Sequence, residues 1–149
     1  MPAYHSGYVL DASVAAKWFV RHGEDDRDRA LLLRGMHADG RLELIMPEFG
    51  LLEIVNAIRF SPKAREEDGA AALDLLQDLS IRLEPLNWRI LRKANAIAWA
   101  YRTAIYDAVY VALAESAGFP LLTADEALVK KMKGHSIVLR LADLEIPEV

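Results

Sequence analysis

The stretch Gly-Tyr-Val-Leu-Asp (residues 7–11) is a short apolar run that ends in a carboxylate. The same pattern returns in Leu-Leu-Thr-Ala-Asp (residues 121–125). Between the short apolar runs, the apolar residues follow the longer period of helices. This alternation is typical of a parallel sheet covered by helices on both faces. We therefore predict an α/β fold, with an α/β/α sandwich around a central parallel sheet.

The apolar pattern predicts five strands and seven helices. The predicted strands are Tyr8–Leu10, Glu43–Met46, Ile81–Leu86, Leu121–Thr123 and Ile137–Leu139. The predicted helices are Val14–Val20, Arg27–Ala38, Glu48–Phe60, Glu66–Leu79, Trp88–Tyr101, Asp107–Ala117 and Glu126–Lys133. We expect Pro47 in the first turn of its helix and Gly118 at a helix C-terminus. The apolar excess on the third and fourth helices fits either a half-buried core or a partner surface.

Length and composition indicate one domain spanning residues 1–149, with 53% hydrophobic residues to form its core. No apolar stretch reaches the roughly 20 residues of a membrane helix, and the polar start does not resemble a signal peptide. We therefore expect a cytoplasmic protein without a membrane segment. The net charge of −4 argues against a protein that coats nucleic acid by electrostatics alone.

The residue types also limit the metal chemistry that the chain can support. There is no cysteine, and the four histidines do not have the spacing of a zinc site. A metal site must therefore use oxygen ligands, which suit Mg²⁺ or Mn²⁺. Such ions serve phosphoryl transfer, in which they activate a water for in-line attack and stabilise the leaving oxygen.

Four acidic residues are the candidates for such a site. Asp11 and Asp125 follow predicted strands, at the sheet edge where open α/β sheets bind ligands. Asp107 begins a predicted helix that can point to the same edge. Glu53 lies within a predicted helix among apolar neighbours, with Asn56 on the same face at i+3. A carboxylate close to a buried stripe is costly unless it is paired or metal-bound.

Each of these residues also has a purely structural interpretation. Asp107 and Asp125 precede helical runs, where aspartate is a favoured N-cap. Asp11 or Ser13 could cap the helix that follows the first strand, and Glu53 could be a solvated helix residue. The structural interpretation is weaker for the four residues taken together than for any one of them.

Four segments follow the order and spacing of one known family. They are VLDASVAAKW (9–18), PEFGLLEIVN (47–56), YDAVYVALA (106–114) and LLTAD (121–125). On these segments the chain resembles the PIN-domain ribonucleases, and among them the VapC-type toxins of type II toxin–antitoxin modules, over nearly its full length.

The resemblance implies a PIN-like fold and an endoribonuclease that cleaves RNA with Mg²⁺ or Mn²⁺. It also implies a homodimer and a cognate antitoxin protein as partner. By the same resemblance, Asp11, Glu53, Asp107 and Asp125 would be the catalytic and metal-binding acidic quartet. Ser13 and Thr123 match family positions and would position water or a ligand carboxylate, and Asn56 is a weaker candidate for such a role. Caps or local turns explain Ser13 and Thr123 about as well.

The sequence leaves open which residues contact phosphate and which of several functions the protein has. The turn at 60–68 lacks the glycine-bearing basic loop of many relatives, so phosphate contacts could come instead from other cations, although a solvated helix face is the ordinary explanation for most of these. The candidate cations are Lys17, Arg21, Arg59, Lys63, Arg65, Arg89, Arg92 and Lys93. The aromatic residues at helical positions, Tyr106 and Tyr110 among them, are predicted to lie in the core or an interface, and Tyr106 is the only one expected close to the acidic site. Alternative functions are a PIN nuclease of RNA processing or quality control, a receiver-like domain that accepts a phosphoryl group, and a catalytically idle domain that binds a partner.

Overall fold

The structure, a computed structural model, describes residues 5–20 and 26–145. Its described part contains one sheet of five parallel strands in the order β3-β2-β1-β4-β5. The strands are β1 (Gly7–Leu10), β2 (Glu43–Pro47), β3 (Arg82–Glu84), β4 (Leu121–Thr123) and β5 (Val138–Arg140). The predicted parallel sheet is confirmed, with strand ends that differ by one or two residues.

Seven α-helices connect the strands in the described residues. They are α1 (Ala12–Ala15), α2 (Arg27–Ala38), α3 (Phe49–Arg59), α4 (Glu66–Leu79), α5 (Trp88–Tyr101), α6 (Ile105–Ala117) and α7 (Glu126–Lys131). Short 3-10 turns cover Ala16–Trp18 and Leu141–Asp143. No helix in these ranges has the length and apolar character needed to cross a bilayer.

The helices lie in two layers because successive residues of a strand point to opposite faces of the sheet. Tyr8 and Leu10 of β1 belong to a core shared with α1 to α4, whereas Val9 belongs to a second core shared with α5 to α7. The middle of α6 is buried on every side, which explains its continuous apolar sequence. The predicted α/β/α sandwich is confirmed.

Three local predictions are wrong. Pro47 is the last residue of β2 rather than the first turn of a helix, and α3 begins at Phe49. Helix α6 begins at Ile105, two residues before Asp107, and Ala104 is its N-cap. The predicted helix 14–20 is instead one α turn followed by a 3-10 turn. Gly118 does end α6 with a φ of 74°, as predicted.

The apolar excess on helices α3 and α4, which fitted either a half-buried core or a partner surface, can be assigned from the exposure of its residues. Ile54 and Leu76 are buried, whereas Leu52 and Leu73 remain exposed. Part of the apolar excess therefore belongs to the core and part lies on the surface. The aromatic residues divide in the same way: Trp18 and Tyr110 are buried, but Trp88, Trp99 and Tyr106 are exposed.

The strand order creates a topological switch point at the carboxyl end of β1. β1 has β2 on one side and β4 on the other, so the connections run in opposite directions from β1. Ligands of open α/β sheets bind beyond the carboxyl ends of the strands at such a switch point. Asp11 follows β1 and Asp125 follows β4, so the fold brings both to this crevice.

Replacing Gly7 with alanine is expected to destabilise the fold, because β1 has no room for a methyl group there. A Cβ atom at Gly7 would lie 2.9 Å from the Phe119 ring and 3.1 Å from the Glu43 carbonyl oxygen. Overpacking of this kind costs about 1–3 kcal/mol, which urea unfolding measures. Gly35→Ala is the matched control, since nothing lies within 4 Å of that position on α2. It should raise stability slightly, by about 0.5–1 kcal/mol. Equal effects of the two variants would contradict the packing argument.

Candidate active site

Asp11 is a buried carboxylate at the end of β1, with 6% of its surface exposed. Its Oδ2 accepts hydrogen bonds from Ser13 Oγ at 2.5 Å and from Thr123 Oγ1 at 2.8 Å. Thr123 reaches Asp11 because β4 lies beside β1, with Leu122 in register with Leu10. Burial raises the pKa of Asp11, although the two hydroxyl groups oppose that rise.

The predicted hydroxyl residues form one network with Asp11. Ser13 Oγ also accepts the backbone N–H of Ala124 at 3.0 Å, and Thr123 Oγ1 accepts that of Asp125 at 3.0 Å. Ser13 therefore links α1 to the loop after β4 rather than capping its own helix. Asp11 occupies the N-cap position of α1 but makes no capping hydrogen bond with its side chain. Thr123 combines a local turn with a contact to Asp11, so the structure has both features that were proposed for it.

Asp125 is the N-cap of α7, as its structural interpretation predicts. Its Oδ1 accepts the backbone N–H groups of Ala127 at 2.9 Å and Leu128 at 3.2 Å. Its charge also acts on the other acids, because Asp125 raises the pKa of both Asp11 and Asp107. A capping role and a place in the acidic cluster therefore coexist in this residue.

Asp107 is half-buried in the first turn of α6, and the prediction that it caps this helix is wrong. Within residues 5–20 and 26–145, no hydrogen bond to its carboxylate is found. Its pKa is raised by burial first and then by the charges of Asp11 and Asp125, while Lys131 opposes the rise. Nothing in the helical pattern around Lys131 connects it with Asp107, so no role was predicted for this residue.

Glu53 projects from α3 and is exposed as a whole, which corrects the expectation that it lies against a buried stripe. Its carboxylate nevertheless reaches the cluster, where Oε1 accepts a hydrogen bond from Tyr110 Oη at 2.8 Å. Partial burial raises the pKa of Glu53, and the charges of Asp11 and Asp107 raise it further. Asn56 is exposed and, among the described residues, its side chain makes no hydrogen bond to the acids.

Tyr110 is the residue at this site that sequence reasoning missed. It was expected in the core or an interface, and it is indeed fully buried, but its hydroxyl group points to Glu53. The available signal was its spacing, since Tyr110 follows Asp107 at i+3 on the same helix face.

Comparisons with known proteins identify the family. A family model described as the PIN domain matches residues 8–134. The chain belongs to the PIN domain family. Ribonuclease VapC3 of Pyrobaculum aerophilum is 37% identical over 127 residues, which cover 83% of this chain and 92% of that protein. The predicted family resemblance is therefore confirmed.

Two solved structures share the PIN fold. One is titled a toxin–antitoxin complex from Klebsiella pneumoniae, with a TM-score of 0.64 and 15% identity over 90% of this chain and 97% of that chain. The other is a crystal structure of a Pyrobaculum aerophilum protein, with a TM-score of 0.60 and 24% identity over 91% and 89% of the two chains. At these identities the structures establish the fold alone. Family membership sets aside the receiver-like alternative, whose common strand order of 2-1-3-4-5 also differs from the one found here.

The carboxylates of this PIN domain are suited to an ion that keeps much of its water. Within the described ranges, no three histidine, aspartate or glutamate side chains are close enough to hold one metal as they stand. A cage made only of protein ligands is therefore not preformed there. Mg²⁺ usually binds through one or two carboxylates together with waters and substrate phosphates. The donor set here, made of oxygen atoms with hydroxyl groups around Asp11, fits that mode of binding.

Three of the candidate cations have partners outside the four proposed site acids of the PIN domain. Arg65 pairs with Glu67 at 3.3 Å, and Lys93 pairs with Glu115 at 3.1 Å. Arg59 stacks on the ring of Phe60. Arg89 and Arg92 on α5 and Lys63 in the turn between α3 and α4 are exposed, and Arg21 lies outside the described residues. Lys17 is half-buried and is not without a partner.

Replacing Thr123 with valine is expected to loosen the loop that carries Asp125. Valine has nearly the same shape, but it removes the donor to Asp11 and the acceptor for the backbone N–H of Asp125. Loss of these partners should lower the free energy of unfolding by about 1–3 kcal/mol. Urea unfolding of Thr123→Val, with Thr123→Ser as a control that keeps the hydroxyl group, measures the effect. A valine variant as stable as the serine variant would contradict it.

Proposed function

We propose that this PIN domain is an endoribonuclease that depends on Mg²⁺ or Mn²⁺, with the four acids as its catalytic and metal-binding residues. The observation that carries the proposal is the convergence of Asp11, Glu53, Asp107 and Asp125, linked by charge effects that raise the pKa of three of them. Carboxylates that repel one another at a sheet switch point favour a bound cation. The 37% identity to a protein named as a ribonuclease supports RNA as the substrate.

Different parts of the fold hold each of the four carboxylates. Asp11 accepts hydrogen bonds from Ser13 and Thr123, Asp125 from two backbone N–H groups of α7, and Glu53 from Tyr110. Asp107 is placed by α6, and among the described residues its carboxylate accepts no hydrogen bond, which leaves it available to a ligand. A divalent ion bound by these residues would supply positive charge to the scissile phosphate and promote ionisation of the attacking water.

The direct test is cleavage of a mixed structured RNA by purified protein free of any antitoxin. Reactions with Mg²⁺ or Mn²⁺ are compared with reactions in EDTA, and Mn²⁺ binding is measured on the same sample. We expect cleavage with metal and none with EDTA. Cleavage that EDTA leaves unchanged would reject the metal. Absence of both cleavage and Mn²⁺ binding would favour the idle, partner-binding alternative.

We further infer that the protein is the toxin of a type II toxin–antitoxin pair and acts in the cytoplasm as a homodimer. The relative named VapC3 and the shared fold with a structure titled a toxin–antitoxin complex support this role. Induced expression should arrest growth, and co-expression of the protein encoded beside it should relieve the arrest. Normal growth despite active nuclease in the cell would favour a role in RNA processing.

A further inference from the structure

The hydroxyl group of Tyr110 is a buried polar group directed at the acidic cluster. Tyr110 is fully buried, and its Oη donates to Glu53 Oε1 at 2.8 Å. A phenol has a single proton to donate, so this bond uses the donor capacity of the side chain. The geometry of this bond therefore makes the Tyr110 hydroxyl group a donor toward Glu53, and burial and the nearby charges of Asp11 and Glu53 raise the pKa of Tyr110.

Among the described residues Glu53 has one such donor, whereas Asp11 and Asp125 have two each. Asp11 receives two hydroxyl groups and Asp125 receives two backbone N–H groups. Glu53 is longer and projects from an exposed position on α3, where a free glutamate samples many rotamers. The bond from Tyr110 fixes Oε1 and leaves Oε2 for a ligand.

Gly50 provides the space for this contact. It precedes Glu53 by three residues and so lies on the same face of α3. A Cβ atom at Gly50 would lie 2.9 Å from Tyr110 Oη and 2.9 Å from Met46 Cγ. The Tyr110 ring also packs edge-on against the ring of Phe49, with ring centroids 5.5 Å apart, so Phe49 occupies the space beside the Tyr110 ring. The backbone of Gly50 is ordinary helix, so its lack of a side chain is what matters here.

We propose that Tyr110 is a positioning residue that orients Glu53 for metal binding, and that Gly50 is required because any side chain would displace the Tyr110 hydroxyl group. This inference rests on the proposed function, in which Glu53 is a metal-binding residue. It adds a buried donor and a packing requirement to the acidic quartet.

The test is a double-mutant cycle on Mn²⁺ affinity, measured from the paramagnetic signal of free Mn²⁺. Tyr110→Phe keeps the ring and removes only the hydroxyl group, and it should weaken Mn²⁺ binding roughly tenfold, the usual effect of losing a group that orients a ligand. In the Glu53→Gln background the same change should have no further effect. Equal weakening in both backgrounds would reject the positioning role, because a general structural defect does not depend on Glu53. Tyr101→Phe, at a half-buried tyrosine that contacts His135, is the control.

A second pair of variants tests the space at Gly50 and replaces the first if Tyr110→Phe does not fold. Gly50→Ala should also weaken Mn²⁺ binding, and this effect too should vanish in Glu53→Gln. Gly69→Ala is the matched control, since nothing lies within 4 Å of that position on α4.

The outcomes separate this inference from the proposed function. If the unmodified protein binds Mn²⁺ and cuts RNA, and Tyr110→Phe and Gly50→Ala equal it in Mn²⁺ affinity and in RNA cleavage, only this inference fails. If the unmodified protein binds no Mn²⁺, the metal-dependent function and the inference fail together.

Discussion

Replacement of Asp107 by asparagine is expected to abolish RNA cleavage while leaving the fold intact. Within the described chain, the Asp107 carboxylate accepts no hydrogen bond, so asparagine breaks none there. The charge of Asp107 is lost, and with it a ligand of the proposed ion, whose stabilisation of transition-state charge would be worth several kcal/mol. A loss of that size is on the order of a hundredfold or more in rate. Turnover of a labelled RNA with Mn²⁺, beside thermal unfolding of the same sample, measures both quantities.

The stability of this variant is as informative as its activity. Asp11 and Asp125 raise the pKa of Asp107, so its ionised form is disfavoured in the folded state. Removing the charge should therefore leave the free energy of unfolding unchanged or increase it. Asp74→Asn makes the same chemical change at an exposed position on α4 and should retain full activity. An Asp107→Asn protein that cleaves RNA as fast as Asp74→Asn would remove Asp107 from the proposed site.

The sequence predicted those parts of the fold that depend on local pattern. Helices α2, α4 and α5 have the predicted bounds, since each carries a clear apolar period. The structure adds that Asn87 caps α5 by accepting the N–H of Ile90 at 2.8 Å. The predicted start of α6 was wrong because Ala104, its N-cap, offers no capping side chain, and the prediction began the helix at Asp107 instead.

The acidic cluster was predictable where strand order alone decides it. Asp11 and Asp125 follow neighbouring parallel strands, so their meeting requires only the sheet. The contact between Tyr110 and Glu53 depends instead on how α3 packs against α6, which no short-range pattern specifies. The same holds for Lys131, whose charge reaches Asp107 from a different helix.

A divalent metal is expected to stabilise the protein most at high pH and little near pH 4. The pKa values of Asp11, Glu53 and Asp107 are raised by folding. Their protonation therefore favours the folded state, and that contribution is complete below the unfolded pKa values of about 4. It is lost as the pH rises through the raised values, when the charges repel one another. A cation that binds the ionised groups restores the lost stability.

The size of this effect follows from mass action. Metal at 100 times its Kd adds about 2.7 kcal/mol, which corresponds to roughly 5–10 °C in Tm for a chain of this length. The quantity to measure is the difference in Tm between Mn²⁺ and EDTA at each pH, because groups outside the site contribute to both curves. Glu115 is such a group: burial raises its pKa, but His135 and Lys93 outweigh burial, so the pKa is lowered. In the unmodified protein the difference in Tm should grow from pH 4 to pH 8. In Asp11→Asn this growth should be smaller. An equal difference at both pH values would mean that the ion binds somewhere other than these carboxylates.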